Sequence, residues 1–253
     1  MKTTAILNLK GGVAKTTTAI NLAAVLARFY KKRVLLIDAD SQCNLTEFCG
    51  KKPTGVIVSL VDVLREGGSA KPEFVISKTN IPGVDLIPAA DELMGFDITA
   101  LKYGAGKPEA IREFLGLVRD RYDYCLIDCP PAFSASGFAA LVAADDVLIP
   151  IKLDAFSLRG MGNLMQQVEN MRRLNSRLEV VGLLPTMFYK SERTEEARKV
   201  LAKSPYRVFP AIRQSRRVDE MTYRQEPLCV CSPTSAAAVD YRRFAEKYLE
   251  AEK

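Results

Sequence analysis

Thr3-Thr4-Ala5-Ile6-Leu7-Asn8-Leu9-Lys10-Gly11-Gly12-Val13-Ala14-Lys15-Thr16-Thr17 decides how the rest of the chain is read. Thr3 to Leu9 is a mostly apolar run with the character of a strand, and the apolar spacing from Thr16 to about Phe29 predicts a helix. The two glycines therefore fall in a strand–loop–helix turn, a place where a phosphate chain can be held. Gly11 and Gly12 let backbone N–H groups approach phosphate oxygens with no side chain between, and the N–H groups that open the helix add partial positive charge. A nucleotide is the expected ligand. Lys15 is placed to reach its β- and γ-phosphates and the Thr16 hydroxyl to bind Mg²⁺. The common loop form G-x-x-x-x-G-K-[ST] is not met, because Leu9 and Ala14 stand in its glycine positions; the form present is x-K-G-G-x-x-K-T.

Outward from that turn the chain alternates. After the first helix, Val34 to Ile37 is a continuous apolar run, the mark of a parallel strand covered on both faces. Strand, helix and strand make a right-handed βαβ unit, with the ligand expected at the carboxyl ends of the strands. Asp38-Ala39-Asp40-Ser41-Gln42-Cys43-Asn44-Leu45-Thr46 comes at that end, and carboxylates there can hold Mg²⁺ or orient an attacking water. Further on, Val58 to Leu64 predicts a short helix stopped at Gly67-Gly68, Val84 to Pro88 a strand, and Gly95 to Pro108 a helix with a glycine-containing loop. A helix over about 109–121 leads into Tyr122-Asp-Tyr-Cys-Leu-Ile-Asp128-Cys-Pro130-Pro131, a strand whose terminal aspartate reaches Mg²⁺ in the manner of a Walker B carboxylate. Phe138 to Ala144 is a short helix, Asp146 to Ile151 a buried strand, 153–175 a long helix, and Glu179 to Pro185 another strand. Leu228 to Pro233 is expected to form a strand and turn before a closing helix from Ser235 to about Glu250, with Tyr241 and Tyr248 on its inner face. The fold class is thus α/β: a P-loop nucleotide-binding fold with a mostly parallel twisted sheet, helices on both faces, and residues 1–253 forming a single domain.

Composition narrows the chemistry. The 253 residues are 48% hydrophobic, ample for a core on both faces of a sheet. No histidine is present, which removes His-ligated metals, His acid–base catalysis and Ser-His-Asp triads. The six cysteines include no C-x-x-C pair and suit buried thiols of a reducing, cytoplasmic setting; Cys229 and Cys231, at strand spacing, would share a face. No apolar run is long enough to span a bilayer and no secretory signal opens the chain. A net charge of +6 points towards a polyanion, and the basic residues gather late. A first cluster holds Lys190, Arg193, Arg198, Lys199, Lys203 and Arg207, as solvated helix faces often do; a second holds Arg213, Arg216, Arg217 and Arg224.

In order, x-K-G-G-x-x-K-T, D-x-D-x-Q-x-N-x-T, D-x-P-P, R-x-x-E at Arg217–Glu220, and a turn at Pro233 before the last helix resemble the ParA/MinD class of deviant P-loop ATPases over essentially the whole chain. The resemblance implies a homodimer formed around two ATP molecules with Mg²⁺. Gly11, Gly12, Val13, Ala14, Lys15, Thr16 and Thr17 would hold the phosphates, and Lys10, the signature early lysine, would reach the partner's ATP across the interface. Asp40 would position the attacking water, with Thr16, Asp38 and Asp128 around the metal. Thr186 and Met187 would contact adenine and the backbone around Pro233 would stack on it.

Within that class the chain looks like a ParA/Soj-type partition ATPase. That implies binding of double-stranded DNA without sequence preference, through Arg217 with Arg213, Arg216 and Lys190 as helpers, and association with the nucleoid in the ATP state. A ParB-like or other activating partner would stimulate hydrolysis, and the cycle would position a plasmid, chromosome region or other cargo. With no helix-turn-helix extension ahead of the first strand, operator recognition is expected to fall to a partner.

The chain departs from the class at Ser41, at Cys43, and at Ala14, where glycine is usual and alanine is expected to fit only with a negative φ. A MinD-like membrane-associated ATPase is the alternative, but the 245–253 tail lacks exposed apolar bulk and carries three glutamates, so no membrane is expected. An iron–sulfur carrier would need paired cysteines at a dimer face, and a tyrosine autokinase a tyrosine-rich tail.

Overall fold

Strand β1 (Lys2–Ile6) runs into the glycine loop and helix α1 (Lys15–Tyr30) leaves it. β2 (Val34–Asp38), α2 (Asn44–Phe48), α3 (Leu60–Glu66), α4 (Pro72–Val75), β3 (Ser77–Lys78), β4 (Val84–Ile87) and α5 (Glu92–Tyr103) come next. α6 (Ala110–Val118), β5 (Tyr124–Asp128), α7 (Ala135–Ala143), β6 (Asp146–Lys152), α8 (Ala155–Met171) and β7 (Glu179–Thr186) then alternate. α9 (Glu192–Ala202), α10 (Arg217–Arg224), α11 (Leu228–Cys231) and α12 (Ala236–Ala251) complete the chain. This computed structural model describes residues 1–55, 58–66, 68–104 and 106–251. Gly67 of the expected helix stop, Ala105 of the glycine-containing loop, and Glu252 and Lys253 of the tail lie outside the described residues.

The strands form one seven-stranded sheet in the order β3-β4-β2-β5-β1-β6-β7, parallel throughout except for the short β3 against β4. β2 and β5 are buried along their whole length, which is why they are continuous apolar runs rather than alternating ones. Successive residues serve opposite faces. Leu35, Ile37, Cys125 and Ile127 pack with α3, α5, α6 and α7, whereas Val34, Leu36, Tyr124 and Leu126 pack with α1 and α12. Tyr241 and Tyr248 are buried on the inner face of α12, as expected, and their hydroxyls meet Thr18 at 3.3 Å and Thr4 at 2.6 Å.

Register places the chemistry. Asp38 at the end of β2 and Ile6 at the end of β1 are both level with Asp128 at the end of β5, so the glycine loop and two aspartates emerge side by side.

Two local details differ from, or add to, the sequence expectation. Leu228 to Cys231 is a four-residue helix, not a strand, because Pro227 enters it and the Leu228 N–H is taken by Asn21 Oδ1 at 3.0 Å. Cys229 is therefore buried and Cys231 half-buried rather than sharing a strand face, and all six thiols are free. At Gly182 a Cβ would meet the Phe209 ring at 2.6 Å and the Arg207 carbonyl at 2.9 Å. Only glycine lets the 207–209 segment lie against β7, where Leu183 N–H donates to Arg207 at 2.8 Å and Phe209 N–H to Leu183 at 2.9 Å. Among the described residues no helix is long and apolar enough to cross a membrane.

Candidate functional site

The glycine loop crosses from β1 to α1 with Gly12 at φ +68° and Ala14 at φ 67°, ψ 36°. The negative φ expected for Ala14 is thus corrected: alanine takes the left-handed conformation at a cost on the order of 1 kcal/mol, because its carbonyl must turn to accept the Thr18 N–H at 2.9 Å and start the helix. The first turn of α1 leaves its N–H groups without intrahelical partners, aimed into the loop. Lys15 is buried and its ammonium folds back over the glycine loop towards the Lys10 carbonyl at 3.5 Å.

Thr16 Oγ1 donates to Asp128 Oδ2 at 2.6 Å, joining the start of α1 to the end of β5. The other oxygen of Asp128 is buried with no hydrogen-bond partner among the described residues. Burial pushes the Asp128 carboxyl well above its ordinary range, the nearby Asp38 charge adds to this, and the Thr16 hydroxyl and Lys15 oppose it. Asp38 is fully buried too. One of its oxygens accepts the Thr46 N–H at 2.8 Å and hydroxyl at 2.6 Å, and the other accepts the Asp40 N–H at 3.2 Å. Burial raises Asp38 to about 6 and those hydrogen bonds hold it from rising further. With both oxygens engaged, Asp38 fastens the loop that presents Asp40. Asp40 accepts the Gln42 N–H at 3.0 Å through one oxygen. An orphaned carboxylate oxygen beside a threonine hydroxyl, in a site crowded with buried acid, is a donor set of hard oxygens suited to Mg²⁺.

Lys10 extends to α8. Its ammonium lies 2.9 and 2.7 Å from the two oxygens of Asp154 and 3.1 Å from Ser157 Oγ. Asp154 also caps α8 by accepting the Ser157 N–H at 2.8 Å. Burial would raise Asp154, but the bonds from Lys10 and Ser157 outweigh it and bring the carboxyl to about 2. A second network joins the loops: Ser136 Oγ lies 3.1 Å from the Ala39 carbonyl, between the two acids of the D-x-D stretch, and 3.0 Å from Asp97 of α5. Asp97 and Ser136 carry no sequence motif, and Asp154 and Ser157, in the stretch that opens the long helix, had no individual role expected of them; only the fold brings the four to the site.

A cavity of about 440 Å³ opens beside the loop, between Ala14 and Thr17 at the start of α1, Thr186 and Met187 at the end of β7, and Gln214 and Ser215. Thr186 and Met187, expected near the base, line it. The Thr186 hydroxyl itself is buried and donates to the Val13 carbonyl at 3.0 Å, so it braces the loop. Pro233 is not among the residues lining this cavity; it precedes α12, and its carbonyl accepts from Arg242 at 3.2 Å. Sequence reasoning missed Gln214 and Ser215, which follow the basic cluster without any motif.

Of the four basic residues expected together, Arg213 and Arg216 line this same cavity. Arg213 is exposed and held by Asp240 at 2.8 Å through two of its nitrogens. Arg217 is exposed and pairs with Glu220, and Arg216 and Lys190 are exposed.

The profile of a protein family described as an AAA domain matches residues 1–180. The chain is 37% identical to the chromosome partitioning protein ParA of Caulobacter vibrioides over 259 aligned residues, covering 100% of this chain and 96% of that one. It is also 37% identical to the chromosome-partitioning ATPase Soj of Thermus thermophilus, with 97% and 94% covered. Among solved structures it superposes on a cobyrinic acid a,c-diamide synthase from Mycobacterium smegmatis, bound to an ATP analogue and magnesium, with a TM-score of 0.84, 29% identity and coverage of 99% and 95%.

Proposed function

The chain belongs to the ParA/Soj family of partition ATPases, and from that premise we propose that residues 1–253 act as one ATPase domain that dimerises around two Mg²⁺-ATP molecules and in that state binds duplex DNA without sequence preference. A ParB-like or other activating partner then stimulates hydrolysis and releases the dimer, so that repeated cycles position a plasmid, chromosome region or other cargo. The observation that carries the nucleotide part is the Thr16–Asp128 hydrogen bond with its unpartnered buried oxygen, set between the glycine loop and the D-x-D loop.

In this reading each residue has one task. The glycine loop and Lys15 hold the β- and γ-phosphates. Thr16 and Asp128 hold the metal, with Asp38 behind them. Bound Mg²⁺ neutralises charge on the transferred phosphoryl group. Asp40 orients the attacking water through the oxygen that does not accept from Gln42. Lys10 leaves Asp154 and places its charge on the partner's ATP as negative charge builds up, a role in which in-trans cations contribute roughly 10³–10⁵ in rate. Arg217, Arg216 and Lys190 contact DNA phosphates.

Binding of the purified protein to unrelated duplex DNA with ATP, ADP or no nucleotide, across a salt series, tests the reading. ATP-dependent, salt-sensitive binding that is lost in both Arg217→Glu and Lys10→Ala is the expected result. Equal binding in all nucleotide states, or none in any, refutes the DNA part.

A further inference from the structure

An open groove of about 630 Å³ lies away from the glycine loop, between α9 and α12. Its floor is the 207–211 segment that Gly182 allows to pack on β7. Its cations are Arg198 and Lys199 from α9, Arg207 from the start of that segment, and Arg243 and Lys247 from α12. Arg243 and Lys247 are four residues apart and share a helix face.

The negative charge nearby is largely matched. Arg198 pairs with Glu195 and Lys247 with Glu250, while Asp240, the acid in the groove wall, is closed off by Arg213. Lys199, Arg207 and Arg243 are exposed and form no ion pair among the described residues. A pocket for a small anion would present buried, convergent polar groups. Here the cations stand on the rim with their ends in solvent, an arrangement that suits a hydrated polyanion touched at successive phosphates. Asp240 also links the groove to the cavity beside the glycine loop: it lines the groove and holds Arg213, which lines that cavity together with Arg216.

We infer that the α9–α12 groove is a second track for the phosphates of duplex DNA, with Lys199, Arg207 and Arg243 as its contacts. The inference rests on the DNA-binding reading above and extends it to a face that the R-x-x-E motif does not mark.

The test is the salt dependence of duplex binding in the ATP state for the unaltered protein and for Lys199→Gln/Arg207→Gln/Arg243→Gln. A control, Arg112→Gln/Arg119→Gln/Arg177→Gln, removes the same charge from another cavity of the molecule. ATP affinity and melting temperature, expected to be unchanged in both variants, establish that each is folded. Each lost phosphate contact lowers the slope of log K against log salt by about 0.9, so the groove variant should lose roughly 2–3 from the slope and bind roughly tenfold or more weakly at moderate salt, while the control keeps its slope. An unchanged slope in the groove variant, or an equal loss in the control, overturns this inference and leaves the DNA-binding reading intact. No binding by the unaltered protein overturns both.

Discussion

Replacing Asp154 with asparagine should make the ATP-dependent dimer form more readily. Lys10 is held within its own subunit by both oxygens of Asp154, at 2.9 and 2.7 Å, and must leave them to act across an interface. The two side chains are 36% and 30% exposed, so the pair is screened and contributes about 0.5–1 kcal/mol rather than the full value of a charge-assisted contact. A dimer that uses both lysines breaks two such pairs, about 1–2 kcal/mol, which corresponds to roughly a 5- to 30-fold tighter dimer once they are gone. Asparagine caps a helix as well as aspartate does, so the bond to Ser157 N–H survives and the change isolates the charge. The sign with pH is clear. A carboxyl lowered to about 2 contributes fully above its ordinary range and loses that contribution only as pH falls towards 2, so the pair stays closed through mildly acid conditions. Sedimentation velocity with a non-hydrolysed ATP analogue, over a concentration series, measures the dimer constant of the unaltered protein, Asp154→Asn and Lys10→Ala. A dimer as weak as the unaltered one in Asp154→Asn, or weaker, would refute the idea that this contact holds the lysine back.

Three further changes follow from the geometry. Ala14→Gly relieves a left-handed alanine and should stabilise the protein by about 1 kcal/mol, a rise of roughly 2–4 °C in thermal melts; a fall would show that the alanine side chain is needed where it lies. Asp128→Asn removes a buried carboxylate with an unpartnered oxygen, so the nucleotide-free protein should melt no lower than before while Mg²⁺-dependent ATP turnover drops by about 100-fold or more; retained turnover would remove Asp128 from the metal site. Gly182→Ala drives a Cβ into the Phe209 ring and the Arg207 carbonyl and should cost about 2 kcal/mol, or roughly 4–8 °C in melting temperature, with calorimetry as the check.

What could be read from the chain alone was whatever one short segment decides. The strand, glycine loop and helix at the start, and the aspartates closing two apolar runs, have local causes, and each falls at a strand end. The helix at Leu228–Cys231 could not be read that way, because four apolar residues have no period to distinguish helix from strand. Contacts between distant residues were equally silent: Lys10 and Asp154 are 144 positions apart, and Arg213 meets Asp240 from 27 positions away. Charge counts placed Arg213 in a basic cluster and gave no sign of Asp240, its partner on a helix that only the fold brings near. Ala14 was misjudged for a different reason: the helix start imposes its φ, and a cost on the order of 1 kcal/mol is tolerable within a large core.

Those long-range contacts bear on how the two proposed binding events could be joined. Arg216 lines the cavity beside the glycine loop together with Val218 and Asp219, the second and third residues of α10, whose first residue, Arg217, faces outward. Asp240, meanwhile, belongs to the wall of the basic groove and fixes Arg213 at the cavity's edge. If a nucleotide occupies the cavity as proposed, it would meet residues of α10 and the Arg213–Asp240 pair, which adjoin both proposed DNA-contacting surfaces. On the proposed reading no long pathway would be needed, because a shift of α10 or of the Arg213–Asp240 pair would reach both sites directly. Coupling between two ligands is reciprocal, so if ATP strengthens DNA binding by some factor through this contact, DNA strengthens ATP binding by the same factor. DNA would then hold the nucleotide state that recruited it, and release would require hydrolysis to remove the phosphate that both Lys15 and the partner's Lys10 engage. On that logic the acceleration of hydrolysis, rather than a change in DNA affinity, is the step an activating partner must control.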